Sequence, residues 1–532
     1  MIEPKGYLAL VLHAHLPFVR HPEHDRFLEE DWFFEALTET YLPLLDVFED
    51  LASRGVHFRV TMSLSPPLLS MMTDPLLQQR YVRYLDERLE ALAGERRRTA
   101  GDPYFYPVVE YYTVRHEHLR RRFVEHHRLD VTHAFRRLLD GGQLDILTCT
   151  ATHGYLPLLA ASPESLYAQL AMAVRTHRRI LGRHPRGIWL PECGYAPGID
   201  RVLDDFGIEY FVLDSHGLLN ADPRPKYGLH RPIRTPGGPA AFGRDFESSK
   251  QVWAAEEGYP GDPVYRDFYR DAGFDVHEPH IQALHHAGMP TFTGLKYHRI
   301  TGRTERKEPY QPGRARERAA EHAAHFLLNR QEQVKWLTSL LDRPPVIVAP
   351  YDAELFGHWW FEGPQWLDFL LRKIAFDQTA LKTITLGEYI DRFGELQPAT
   401  PPECSWGAGG FHEVWLNGTN DWIYPYLHAA SDRMSGLARR FQFADGRLRW
   451  ALDQAARELL LAQSSDWAFI MKTGTAVDYA VRRFKTHIHR FDRIANMIER
   501  DYFDEAYLRA VAWRDTIFPD MDYRIFQTRA FL

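Results

Sequence analysis

The sequence predicts an α/β fold closed as a barrel, on three observations. Short apolar runs rich in β-branched or aromatic residues recur along the chain, at 7–12, 58–64, 144–148, 187–190, 210–213, 291–295, 346–349 and 383–386. Their apolarity is continuous rather than alternating, as in strands covered on both faces. Amphipathic helical stretches such as 163–181 and 314–341 lie between many of them, a β–α alternation that gives either a parallel barrel or a doubly wound sheet. Polar residues follow the runs: His13 and His15 the first, His153 the third, Glu192 the fourth, and Asp352 the run before the last. A barrel gathers all its strand C-termini at one face, whereas an open sheet gathers only those near a switch point, so this distribution favours the barrel.

The chain has 532 residues, enough for two or three domains. Residues 1–401 carry the strand signals. Within them, 74–140 reads as a helical insertion, whose charged runs 95–98 and 120–122 suit solvated helix faces. Residues 227–287, rich in Gly, Pro and aromatics, read as a long active-site rim or lid. Past Pro402, after the Gly-rich segment SWGAGGFHEVWLNG, strand signals fade, and 402–532 reads as a separate helical domain.

Composition narrows the function classes. A formal charge of −7 disfavours polyanions and leaves a neutral polymer as partner, with no nucleic acid. The three cysteines, Cys149, Cys193 and Cys404, have the spacing of neither a zinc site nor a disulfide framework and fit a reducing compartment. The N-terminal apolar run is short and lacks a basic start and a small-residue cleavage site, and no stretch is long enough to span a bilayer, so a cytoplasmic location is expected. The 13 Trp, 26 Tyr and 32 Phe supply either a large aromatic core or platforms for sugar rings; only position along the chain distinguishes the two.

Two carboxylates stand out. Glu192, in WLPECGY, follows an apolar run and is flanked by Trp and Tyr, which suits a nucleophile facing a sugar; a strand-end salt bridge is the plainer reading. Asp352, in PYDAELFGHWW, follows another such run among aromatics, which would raise its pKa as a proton donor requires. Glu354 competes with it, and either residue could instead cap the next helix. Glycosidic cleavage needs such a pair, and the spacing of the two carboxyl groups decides between retention and inversion. His13-Ala14-His15 could bind a metal or hydrogen-bond sugar hydroxyls. A metal-dependent amidohydrolase or deacetylase would use the histidines and Asp352 but leaves Glu192 idle. A glucan-binding protein without catalysis would need neither carboxylate.

Five segments together are specific. HAHLPFV (13–19), ATHGYLP (151–157), WLPECGY (189–195), PYDAELFGHWW (350–360) and QSSDWAFI (463–470) resemble the five sequence regions of glycoside hydrolase family 57. Residues 29–45, residues 292–302 and the helical region opening at SWG resemble its 1,4-α-glucan branching enzymes more than its α-amylases or 4-α-glucanotransferases. The resemblance implies a distorted (β/α)7 barrel with a helical insertion and an all-helical C-terminal domain. It also implies an α-1,4-glucan substrate and acceptor, glycogen-type synthesis, and a retaining mechanism with no metal and no cofactor. By motif, Glu192 takes the nucleophile's place and Asp352 the acid/base's. His13, His15 and His153 would surround the cleaved sugar, Trp406 and Trp415 would line the cleft, and Asp466 would contact substrate. Arg270 and Gly294 match further glucan contacts. The family's branching enzymes carry a tyrosine at a loop tip, and here Phe246 or Tyr259 falls near that position.

Overall fold

In a computed structural model, which describes residues 3–253 and 257–527, seven strands close into a barrel. They are β1 (Gly6–Ala14), β2 (Val60–Leu64), β3 (Leu144–Leu147), β4 (Gly187–Ile188), β5 (Tyr210–Leu213), β6 (Ala240–Gly243) and β7 (Val346–Asp352). β1 pairs in parallel with β2 and with β7, the latter in a register running from Tyr7 opposite Val346 to His13 opposite Asp352. β2 pairs with β3, β4 with β5, and β5 with β6, all in parallel. Two seams complete the circle. Thr148 bridges β3 to β4, its N–H donating to Gly187 at 3.2 Å and its carbonyl accepting from Trp189 at 2.9 Å. The Asp245 N–H, just past β6, donates to the Val348 carbonyl of β7 at 2.8 Å. A short strand, Leu381–Thr383, pairs with the first residues of β1.

Strand alternation sorts the core. Tyr7, Ala9, Val11, Leu147, Cys149, Trp189, Tyr210, Val212, Ala240, Phe242, Val346 and Val348 share one buried cluster, the barrel interior. Leu8, Leu10 and Leu12 belong instead to a cluster shared with the surrounding helices, among them Leu44, Phe326 and Leu367. That outer cluster runs on into the C-terminal helices through Leu459, Phe484 and Phe491. At roughly 1.5–3 kcal/mol for each fully buried aliphatic side chain, both faces of β1 contribute, which is why the run reads as unbroken apolarity.

Two sequence assignments change. The run 291–295 is not a strand. The buried Asp271 carboxylate accepts from Thr293 N–H (2.9 Å), Thr293 Oγ1 (2.7 Å) and Gly294 N–H (3.0 Å), and so holds those groups in a turn. The barrel strand at this stage is Ala240–Gly243, inside the stretch read as a rim. Its small residues between glycines and prolines carry little strand propensity, and its place is set by pairing with β5. Beyond β6 that stretch also holds short helices, Phe246–Trp253, Ala272–Asp275 and Pro279–Gln282. Residues 74–140 are mostly helical, with Pro75–Thr99 packed on Tyr106–Arg121. The described residues past Gln397–Pro398 form helices and no further strand, the longest being Ile423–Arg440, Gly446–Ala462 and Val477–Glu499. No helix among the described residues is long and apolar enough to cross a membrane.

Candidate active site

Continuing each strand's inward set past its end leads to the site. On β1, Tyr7, Ala9 and Val11 are followed by His13 and then His15, and on β7, Val346 and Val348 by Asp352; His153, six residues past the end of β3 and at φ 57°, comes from the loop beyond it. The same step on β6 gives Arg244 after Phe242. The three histidines stack, with ring centroids of His15 and His153 3.9 Å apart and those of His13 and His153 5.2 Å apart. His13 Nε2 meets His153 Nε2 at 3.1 Å, which requires one N–H and one lone pair, so the two rings cannot both be protonated. Burial, followed by the neighbouring histidines, holds the pKa of both well below the usual imidazole value. Serines fix the outer nitrogens: Ser63 on His13 at 2.6 Å, Ser65 on His15 at 2.8 Å, and Ser465 on His153 at 2.8 Å. His15 Nε2 lies 3.1 Å from both oxygens of Asp466. Burial pushes the Asp466 carboxyl up, but His15, His153 and the Ser464 hydroxyl outweigh it and bring the pKa to about 2.

Glu192 arrives differently. It lies in the short turn Pro191–Cys193 with φ 60°, and Cys193 follows at 51°. Left-handed backbone costs a non-glycine residue of order 1–3 kcal/mol and persists only where the surroundings impose it. Here the Cys193 N–H donates to Leu190 at 2.9 Å, and the Glu192 carbonyl accepts from the Trp406 N–H at 2.9 Å. The Trp406 indole N–H donates to Glu192 Oε2 at 2.6 Å. One residue of the C-terminal region thus grips both the backbone and the carboxylate of Glu192.

Burial raises both acids, and their other neighbours differ. Burial, then the neighbouring Glu354, pushes Asp352 up to about 8, with Arg244 opposing. Burial pushes Glu192 up to about 7; Asp352 and Asp466 add to this, while the Trp406 hydrogen bond and His15 counter it. Glu354, also raised to about 7 by burial, accepts from the His15 N–H at 3.2 Å and from the Tyr41 hydroxyl. It caps no helix; it braces β1 against the helical segment that holds Tyr41. That segment is a single π-helical turn, Leu37–Tyr41, a form that recurs at functional sites. It also carries Glu39, which pairs with Arg266 and with His358 Nδ1 at 2.8 Å. Gly357 allows the close approach: at φ 116°, a Cβ there would lie 1.8 Å from the Glu39 carbonyl oxygen.

Several residues take positions the sequence did not indicate. Trp189 and Tyr195, read as the flanks of a nucleophile facing a sugar, are fully buried and support the site from behind, Trp189 stacked on His13 at 4.8 Å. Trp415, read as a cleft wall, is 1% exposed and stacked on Tyr155 at 4.4 Å, so it stiffens the wall from inside. Trp359 is 53% exposed and stacks on Phe268 at 4.2 Å. Arg270 bonds to Asp275 and to the Glu305 carbonyl, and Gly294 to Asp271; neither shares a hydrogen bond with the catalytic cluster. Tyr259 is buried, its hydroxyl on His325 at 2.9 Å, whereas Phe246 is 65% exposed. Tyr41, Arg244 and the three serines were missed; the inward alternation of β2 was the available signal for Ser63 and Ser65. Ligand atoms of His15, His153 and Asp466 lie within 4.8 Å of one another, which would suit a cation, though each ring also has a serine partner.

Two family models match the chain: glycosyl hydrolase family 57 over residues 9–399, and the 1,4-alpha-glucan branching enzyme C-terminal family over 426–526. A curated 1,4-alpha-glucan branching enzyme of Thermococcus kodakarensis is 34% identical, aligned over 97% of this chain and 77% of its own. The crystal structure of the alpha-amylase AmyC from Thermotoga maritima superposes with a TM-score of 0.93 at 43% identity, covering 99% of this chain and 100% of that one. That of a branching enzyme from Pyrococcus horikoshii gives 0.89 at 36% identity, covering 99% and 97%. With a family model spanning nearly the whole barrel and its strand-end acids, the chain belongs to glycosyl hydrolase family 57.

Proposed function

We propose that the protein is a retaining 1,4-α-glucan branching enzyme acting by double displacement. One observation carries the reading: Glu192, held by Trp406, and Asp352, left without a side-chain hydrogen bond among the described residues, stand at strand ends of one barrel within each other's electrostatic reach. The ionised Glu192 attacks the anomeric carbon while Asp352 gives its proton to the departing 4-oxygen, forming a glycosyl-enzyme. Asp352, now a base, takes the proton from the 6-hydroxyl of a second glucan, which displaces Glu192 and leaves an α-1,6 branch. Asp466, whose carboxylate can accept further hydrogen bonds, holds the sugar's hydroxyls, positioned by the stacked His15, His153 and His13. Whole-chain likeness to branching enzymes and the match of 426–526 to their C-terminal family support the acceptor being glucan. The natural division of labour is a catalytic barrel over 1–401 and a helical domain over 402–532 that lends Trp406. Three free, buried thiols support a cytoplasmic setting, and the likeness to branching enzymes supports storage-glucan synthesis there.

The likeness to an α-amylase favours a second reading, in which water takes the acceptor's place. Acceptor transfer needs a bound, oriented hydroxyl that outcompetes water through effective molarity. Incubation with amylose separates the two readings. Branching gives new α-1,6 linkages with few new reducing ends; a rise in reducing ends without branches would assign the protein to hydrolysis.

A further inference from the structure

A groove of about 850 Å3 lies outside the catalytic cleft, between helix Phe246–Trp253 and helix Pro312–Leu340. Neither Glu192 nor Asp352 lines it. The long helix offers Asn329, Glu332, Gln333 and Trp336, a spacing of i, i+3, i+4, i+7 that places all four on one face. Trp336 is 61% exposed, and Phe246 on the facing helix is 65% exposed. Both rings line the groove, so each of its two helices presents a large exposed aromatic side chain to it.

The groove is also built in depth. Arg330 is 2% exposed, and its Nη1 lies 3.3 Å from Asp245, but its Nε–H has no partner among the described residues. Gln333 donates to the other Asp245 oxygen at 2.8 Å. Asp245 caps helix Phe246–Trp253 through the Ser248 N–H and is tied to β7 at Val348. Its cations are matched by acids, Lys250 with Glu257 and Arg330 with Asp245, so the lining does not attract a polyanion. Aromatic faces beside amides and paired charges suit a neutral polyol, whose rings have apolar faces and hydroxyl edges.

We propose that this groove is a second binding site for α-glucan, taking a run of the polymer while another part of the chain occupies the cleft. The inference rests on the substrate class given under Proposed function. Asp245 of the groove is tied to Val348, four residues before Asp352 on β7 and roughly 13 Å from it along the strand. A glucan engaging both sites must pass around the rim, so only long chains gain. Binding at two points raises the effective concentration of the second contact, which favours polymer over short oligosaccharide.

The test uses the full-length protein with Trp336→Ala, Asn329→Ala and Trp336→Tyr. Retention in amylopectin-containing native gels and KM for amylose are measured beside kcat/KM on maltohexaose. Trp336→Ala is expected to weaken amylopectin retention and raise the amylose KM about fivefold or more, the scale of losing one aromatic anchor. Maltohexaose kinetics should not move, Trp336→Tyr should restore retention, and Asn329→Ala should give a smaller loss. Unchanged retention in Trp336→Ala, an equal fall on both substrates, or an altered oligomeric state in place of altered retention would each overturn the proposal. Wild-type protein that amylopectin does not retain, and that does not act on amylose, would overturn the substrate reading itself. Hydrolysis products with normal retention would leave the groove standing and remove only the branching step.

Discussion

The end of β7 and the turn after β4 deliver the two acids by opposite means. Asp352 is the fourth member of a regular inward series, Val346, Val348, Pro350, Asp352, and its position follows from strand alternation alone. Glu192 is out of step: Trp189 faces inward, and strict alternation would turn residue 192 away. Two consecutive left-handed residues, held by Leu190 and by Trp406, swing it back. On the proposed roles, the proton carrier rests on the barrel and the nucleophile on a strained turn gripped by Trp406. A regular strand end suits a group whose pKa must be raised by burial. In the gripped turn the Trp406 hydrogen bond opposes the burial that raises both acids.

The largest test of this contrast is chemical. Glu192→Gln should lower turnover on amylose by about 10⁴-fold or more while amylose binding persists, because both displacement steps use that oxygen. Asp352→Asn should cost about 10²–10⁴-fold on amylose and much less on α-glucosyl fluoride, whose leaving group needs no proton. Equal losses on both substrates in Asp352→Asn would remove it from the acid role. Next in size is the grip. Trp406→Phe keeps the ring and removes a hydrogen bond to a charged group, worth about 1.5–3 kcal/mol, so kcat/KM should fall roughly 10–100-fold. Since that bond lowers the Glu192 pKa, the acid limb of the pH profile should also move up. A fall in rate without a shift would show that Trp406 acts through packing alone.

The smallest effect is in the alkaline limb. Activity needs Glu192 ionised and Asp352 protonated, so a bell is expected, falling below about 7 and above about 8. Glu354 raises Asp352, so Glu354→Gln should move the alkaline limb down while its side-chain oxygen still accepts from Tyr41. A limb that stays fixed would leave burial as the sole cause.

The strand-end histidines and Asp352 were legible because continuous apolar runs mark barrel strands, and whatever follows them in register must emerge at one face. Ser63 and Ser65 were legible by the same rule applied to β2. β6 was not, because Ala-Ala-Phe between glycines carries no propensity and becomes a strand only by pairing with β5. The aromatics misled for a related reason. Trp189, Tyr195 and Trp415 have the same local setting as Trp406, but three are buried and one reaches the nucleophile, and local sequence does not encode depth.

By itself, then, the sequence determined the barrel class, the helical C-terminal region and the acids and histidines at the strand ends, because hydrophobic periodicity is local. Tertiary structure alone decided that Glu192 turns inward, that Trp406 crosses from the C-terminal region to hold it, and that Glu354 joins Tyr41 to the His15 N–H. Those depend on groups more than 200 residues apart meeting in a site where burial makes each hydrogen bond and charge count.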